Sequence, residues 1–180
     1  KIAGGVVDED GRIVEQLRVE TPVDTAALED AVVDMVRHFA DSYEIAAVGV
    51  AAAGFVDRDR AVLIHAPNIA WRNYPMKANL EGRLSMPVTI ENDANAAGWA
   101  EYRFGGGAHV GDMVMLTLGT GVGGAVILNG ELYRGGHGIG AELGHMRFTR
   151  DGRPCGCGQN GCLEQYASGR ALQREADDIA

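Results

Sequence analysis

Glycine, more than any other residue, limits what this chain can fold into. The 180 residues contain 26 Gly, about twice the usual ~7%. They cluster. Gly105, Gly106 and Gly107 are consecutive, and Gly119, Gly121, Gly123 and Gly124 crowd one turn. Gly135, Gly136, Gly138, Gly140 and Gly144 follow, then Gly156, Gly158 and Gly161. Backbone without a Cβ turns tightly and lets main chain approach a ligand closely. Apolar and functional residues separate these glycines, so the segments are not linkers. The chain is 46% hydrophobic and 23% charged, an ordinary globular balance. Its length suits one domain or two small lobes with a real core.

Charge narrows the partners. Sixteen Lys and Arg stand against 25 Asp and Glu, a formal net charge of −9. With no basic cluster, nucleic acid and anionic membrane surfaces are excluded as main partners. No apolar run approaches the roughly 18 residues of a membrane span, and no secretory signal is visible. Both ends read as cut. Lys1 is not an initiator Met, and the last helical segment stops without a cap. The expectation is a segment of a longer protein.

Ile2–Val7 and Ile13–Val19 read as strands around an Asp8-Glu9-Asp10-Gly11 turn. Leu28, Ala31, Val32, Met35, Val36 and Phe39 recur at helical spacing. The continuous apolar run Ile45–Ala53 predicts a strand buried on both faces. Val62–His65 is a further short strand and Met76–Leu84 a short helix. Val88–Ile90 is a strand leading into Glu91-Asn92-Asp93, and Ala94–Phe104 reads as helix. Met113–Leu118 and Val122–Leu128 pair around a glycine turn. The order predicts α/β with a mixed sheet. Gly105–Gly107 is either a boundary between lobes or an ordinary surface loop.

Four constellations carry chemistry. Cys155, Cys157 and Cys162 lie within eight residues, ten residues after His145. Three thiolates and one imidazole make a closed tetrahedral zinc set; the bland alternative is three unrelated free thiols. An odd cysteine count, with none elsewhere, argues against a disulfide framework and for a reducing compartment. Asp93 falls where a strand gives way to a helix, the place where α/β ligand sites form. It is a competent general base toward a hydroxyl, or merely a helix cap. Neighbouring Asn92 can donate and accept toward a polyhydroxylated ligand. The turn Leu118-Gly119-Thr120-Gly121-Val122-Gly123 exposes successive N–H groups to an anion, with Thr120 as a further donor. It is neither a Walker A loop nor a dinucleotide fingerprint; otherwise it is a plain hairpin turn. Glu142 and His145 stand three apart, so one helical turn puts them on one face. Together with Glu164 they could accept hydrogen bonds from paired sugar hydroxyls; otherwise the carboxylates are surface charge. His145 could give one nitrogen to zinc and the other to substrate.

At these residues the chain resembles the ROK family of bacterial sugar kinases, its glucokinases most. GHGIGAELGHM (136–146) followed by CGCGQNGCLEQYASG (155–169) resembles the family signature with its zinc motif. ENDANAA (91–97) resembles the segment with the catalytic base, and LGTGVGGA (118–125) resembles the second phosphate motif. The resemblance implies an actin-like ATPase (ribonuclease H-like) fold, two lobes around a cleft, truncated here at both ends. Residues 1–106 would form the small N-terminal α/β lobe, and 107–180 the first part of the large lobe with the zinc motif.

The resemblance also implies roles. Asp93 would take the proton from a sugar 6-hydroxyl as it attacks the γ-phosphate of ATP with Mg²⁺. Asn92, Glu142, His145 and Glu164 would bind sugar hydroxyls, and Asn68 lies in the sugar-side segment. Gly119, Thr120 and Gly121 would contact phosphate. His145, Cys155, Cys157 and Cys162 would hold structural Zn²⁺. Glucose going to glucose 6-phosphate in the cytoplasm, by a homodimer or homotetramer, is the implied activity. The family's first phosphate motif, an Asp-Gly-Gly-Thr-type loop, is expected just upstream of Lys1, and the adenosine-binding part beyond Ala180. Two other readings are a sugar-sensing repressor of the same family, and a kinase for N-acetylmannosamine, N-acetylglucosamine or fructose. Asp93 and the glycine loop favour an enzyme, since a sensor needs no base.

Overall fold

Asp8 sets the first hairpin. Its Oδ1 accepts the N–H groups of Asp10 (3.0 Å) and Arg12 (2.8 Å), and Gly11 takes the left-handed φ of +81° that closes the turn. The flanking strands β1 (Ile2–Val7) and β2 (Ile13–Val19) pair antiparallel, with Ile2 opposite Val19. The computed structural model describes residues 1–22, 24–66 and 69–179. It divides into two compact units, Lys1–Asp93 and Ala94–Ala180.

In the first unit, helix α1 (Thr25–Ala40) is capped by Asp24, whose carboxylate accepts the Ala27 N–H at 3.1 Å. Its apolar stripe buries Leu28, Val33, Met35 and Phe39. Strand β3 (Val48–Ala52) runs parallel to β7 (Val88–Asn92), Val48 beside Val88 and Ala52 beside Asn92. Between them in sequence come β4 (Phe55–Val56), β5 (Leu63–Ala66) and β6 (Ile69–Tyr74), an antiparallel sheet in that order. Helix α2 (Met76–Leu84) then buries Met76 and Leu80 and ends at Ser85 in the left-handed region. Leu28, Val33, Val56, Leu63, Leu80 and Ile90 meet in one core. A polar clasp ties α1 to β6 and α2. Glu29 accepts from the Tyr74 hydroxyl and from Arg83 at 3.0 Å, and Arg83 also reaches Asp30 at 2.7 Å. Burial alone would raise the Glu29 carboxyl, but bonds from Tyr74, Arg83 and Asn79 outweigh it and hold the group below the usual carboxylate range.

The run Ile45–Ala53 departs from its expected burial on both faces. Only Val48–Ala52 is strand, and along it Gly49 and Ala51 are exposed while Val48, Val50 and Ala52 are half-buried. Among the described residues β3 pairs with β7 alone. Its other side borders an open, largely apolar trough of about 920 Å³, shared with Ile2, Gly4 and Val6 of β1 and with Val32 and Met35 of α1. Strand β6 has no counterpart in the sequence reading. Its anchor is Trp71, buried and stacked on Tyr74 at 4.5 Å.

In the second unit, helix α3 (Asp93–Phe104, its first residue closing the first unit) packs on an antiparallel sheet. That sheet is β8 (Met113–Leu118), β9 (Val122–Leu128) and β10 (Glu131–Leu132), with β9 central. Trp99 and Tyr102 of α3 join Met115, Ile127 and Leu132 in the second core. This packing is why α3 falls in the same compact unit as the hairpin that follows it. The three glycines after it cap α3: the N–H groups of Gly105 and Gly107 both donate to the Glu101 carbonyl at 3.0 Å, and that of Gly106 to the Glu101 carboxylate. Gly98 is where α3 meets β9. A Cβ there would stand 2.2 Å from the Cβ of Ala125, itself fully buried. Gly98→Val is therefore expected to cost about 1–3 kcal/mol by overpacking, a fall of roughly 3–10 °C in Tm. An unchanged melting curve would contradict this packing.

Short helices α4 (Glu164–Ala167) and α5 (Gly169–Ile179) end the chain. Among the described residues, no helix is long and apolar enough to cross a membrane.

Candidate functional site

In the first unit, the candidate base sits at the junction of β7 and α3. Asp93 is the first residue of α3, where the positive end of the helix dipole favours a carboxylate. Asn92 ends β7, and its Nδ2 donates to the Gly54 carbonyl at 3.1 Å. The residue before them was not singled out by sequence. Glu91 is 8% exposed; its Oε1 accepts the Asn92 N–H at 3.1 Å, and its Oε2 lies 3.5 Å from Arg60 Nε. Only the carboxylate of this pair is buried; the Arg60 side chain is 41% exposed. The only advance signal of Glu91 is its place adjoining the Asn-Asp pair. Asn68 lies outside the described residues.

In the second unit, the glycine loop joins β8 to β9. Gly119 and Thr120 are exposed at its tip. Gly119 N–H donates to the Gly121 carbonyl at 3.0 Å, and Gly123 N–H to Thr117 Oγ1 at 3.2 Å. Val122 N–H donates to Glu164 Oε2 at 3.0 Å. Glu164 thus stands against the glycine loop, a contact that the motif spacing did not predict.

Glu142 precedes a single 3₁₀ turn, Leu143–His145, and its carbonyl accepts the His145 N–H at 3.0 Å. Glu142 stands just outside this turn, with φ −71° and ψ 60°, and the turn itself covers only Leu143–His145. It directs His145 toward the cysteine loop: Nδ1 lies 3.6 Å from Cys155 Sγ, and Cys157 Sγ lies 3.6 Å from Cys162 Sγ. All four donor atoms fall within 4.8 Å of one another. Donors at about 2.3 Å from a tetrahedral centre stand about 3.7 Å apart, so the set fits one metal ion of that preference. The loop achieves this by folding back, with Cys155 N–H donating to the Gln159 carbonyl (2.8 Å) and Gly158 and Gly161 in the left-handed region. Burial pushes the Cys162 thiol up to about 12, with the two neighbouring thiols adding to it. A cation at the centre reverses that balance, because a coordinating thiol gives up its proton. Gln165, also absent from the sequence reading, donates Nε2 to Cys155 Sγ at 3.6 Å and so orients that sulfur.

The sequence profile described as the ROK family matches residues 1–179. The chain belongs to the ROK family. It is 51% identical to the glucokinase of Streptomyces coelicolor over 180 residues, all of this chain and 57% of that protein. It is 34% identical to the xylose repressor of Bacillus subtilis over 177 residues, 95% of this chain and 46% of the repressor. Among solved structures, it matches a ROK family glucokinase from Streptomyces griseus in complex with glucose and AMPPNP. That likeness has a TM-score of 0.88 at 50% identity, over 98% of this chain and 56% of that one. The chain spans a little over half the length of these glucokinases. The mixed α/β fold is the ROK fold, and the likeness to the glucokinases is stronger than that to the repressor.

Proposed function

We propose that this chain is the sugar-binding and catalytic portion of an ATP-dependent hexose kinase of actin-like ATPase fold, converting glucose to glucose 6-phosphate. The observation that carries this reading is the 50% identity, over nearly the whole chain, to a glucokinase that binds glucose and AMPPNP. The chemistry of the residues agrees with it.

Asp93 is the general base. It takes the proton of the sugar 6-hydroxyl as that oxygen bonds to the γ-phosphorus of ATP and the bond to ADP breaks. Asn92, held through Gly54, Glu142, Glu164 and the second nitrogen of His145 accept from and donate to the other sugar hydroxyls, with Asn68 in the same role. These contacts fix the 6-hydroxyl for in-line attack, and positioning is most of what phosphoryl transfer asks of a protein. Gly119, Thr120 and Gly121 contact the transferred phosphate at the loop tip. Mg²⁺, bound with ATP, neutralises charge on the phosphates. His145, Cys155, Cys157 and Cys162 would hold a structural Zn²⁺, which would supply rigidity to the loop. With one ring nitrogen so engaged, His145 would keep the other for a sugar hydroxyl, its ring orientation fixed by the cysteine loop. The protein acts in the cytoplasm as a homo-oligomer, on a small sugar and a nucleotide.

The test is a phosphotransfer assay on the full-length protein with Mg-ATP and glucose, fructose, mannose, N-acetylglucosamine or N-acetylmannosamine. Glucose is expected to be turned over with the highest kcat/KM. Preference for another sugar would keep the chemistry and change the substrate. Sugar binding without turnover of any of them would favour a repressor, like the one from Bacillus subtilis.

A further inference from the structure

Sugar binding does not account for where the Glu164 carboxylate lies. Its Oε2 accepts the Val122 N–H at 3.0 Å, and a Cβ at Gly121 would stand 2.5 Å from that same oxygen. The carboxylate fills the space beside the glycine loop that a side chain at position 121 would take. A second contact comes from close by in sequence. Gly169 N–H donates to the Gly119 carbonyl at 2.7 Å, and a Cβ at Gly169 would lie 2.9 Å from that oxygen. The loop is thus held on both sides of Thr120 by one short stretch, α4 and the start of α5. That stretch is anchored in turn on both neighbouring segments: Leu163 N–H donates to the carbonyl of Met146, which follows His145, at 2.9 Å, and Gln165 N–H to that of Cys162 at 3.0 Å.

We propose that Glu164 is a positioning residue for the glycine loop. Its carboxylate holds the Val122 N–H and, with Gly169, sets the loop's shape before a nucleotide arrives. A glycine-rich turn loses more conformational freedom on ordering than any other. A loop ordered in advance spares the nucleotide that cost. A hydrogen bond to an ionised carboxylate is strong enough to impose the order. The carboxylate has a second oxygen and further lone pairs for a sugar hydroxyl, so one side chain serves both sugar and loop. What the loop is for rests on the kinase reading above; the clamp itself does not.

The test uses the full-length protein with Glu164→Ala, which removes the acceptor, and Glu164→Gln, which keeps a carbonyl oxygen in its place. Amide hydrogen exchange without ligand is read over residues 118–123. The Ala variant is expected to exchange about tenfold faster or more at Val122, and the Gln variant within about threefold of wild type. AMPPNP affinity, measured without sugar, is expected to fall about tenfold in the Ala variant and to stay near wild type in the Gln variant. A residue that only binds sugar would alter glucose affinity and leave both readings unmoved. Unchanged exchange in a folded Ala variant overturns the proposal. Should that variant fail to fold, Gly121→Ala decides, because its new Cβ would displace the carboxylate. Faster exchange at Val122 is expected, and unchanged exchange overturns the clamp. A wild-type protein that binds no AMPPNP would refute the loop's phosphate role, while the exchange data would still judge the clamp.

Discussion

Glucose phosphorylation by the full-length protein is expected to slow by about 10²–10⁴-fold in kcat when Asp93 is replaced by Asn. The substitution is nearly isosteric. Asn keeps the hydrogen-bonding shape, and losing the negative charge at the start of α3 costs only about 0.3–1 kcal/mol, so the melting temperature should fall by a few degrees at most. The substitution removes the charge and the ability to take up a proton. An effect confined to kcat, with KM for glucose within a few-fold, is the signature of a group that acts in the transition state. An Asn variant retaining more than a tenth of wild-type kcat would show that the proton leaves by another route. Asp93 would then be a helix-terminal residue and nothing more.

The second large effect concerns the cysteine loop. One zinc per chain is expected in the purified full-length protein, and Cys162→Ser is expected to lose it. Cys162 is fully buried, and its sulfur lies 3.6 Å from that of Cys157. Serine is too weak a zinc ligand to replace it. A metal bound at a thousand times its Kd contributes about 4 kcal/mol, so the fall in Tm is about 8–16 °C. Activity should fall with it, since His145 loses the partner that orients its ring and Glu164 lies two residues beyond Cys162. Wild-type protein holding well under one zinc per chain would leave three buried or clustered thiols without a metal and refute this account.

Much of the fold was legible where the signal is local. The Asp-Gly turn marks the β1–β2 hairpin, and helical spacing marks α1. The glycine turn marks the β8–β9 pair. The four metal-ligand candidates were also legible, because His145 and the three cysteines crowd one stretch of chain and the glycines between them permit a fold-back. Features that depend on distant partners were not. The burial of β3 depends on what lies beside it, which its apolar run does not encode. Strand β6 is organised by Trp71 stacking on Tyr74, a contact that leaves no clear period in its sequence. The packing of α3 on β9 follows Gly98 and Ala125, small residues whose meaning appears only when helix and strand are in contact. At the site, the pattern ENDANAA pointed to Asn92 and Asp93 but not to the Glu91–Arg60 pair behind them. It likewise took the structure to bring Glu164 against Val122, 42 residues earlier in the chain.

The central claim is that these residues transfer a phosphoryl group to a hexose. The most direct measurement follows the phosphorus resonances of a mixture of full-length protein, Mg-ATP and glucose. The account predicts ADP and glucose 6-phosphate appearing in equal amounts, with the phosphate on the 6-oxygen. ADP appearing with inorganic phosphate and no sugar phosphate, or ATP left intact while glucose binds, would contradict it.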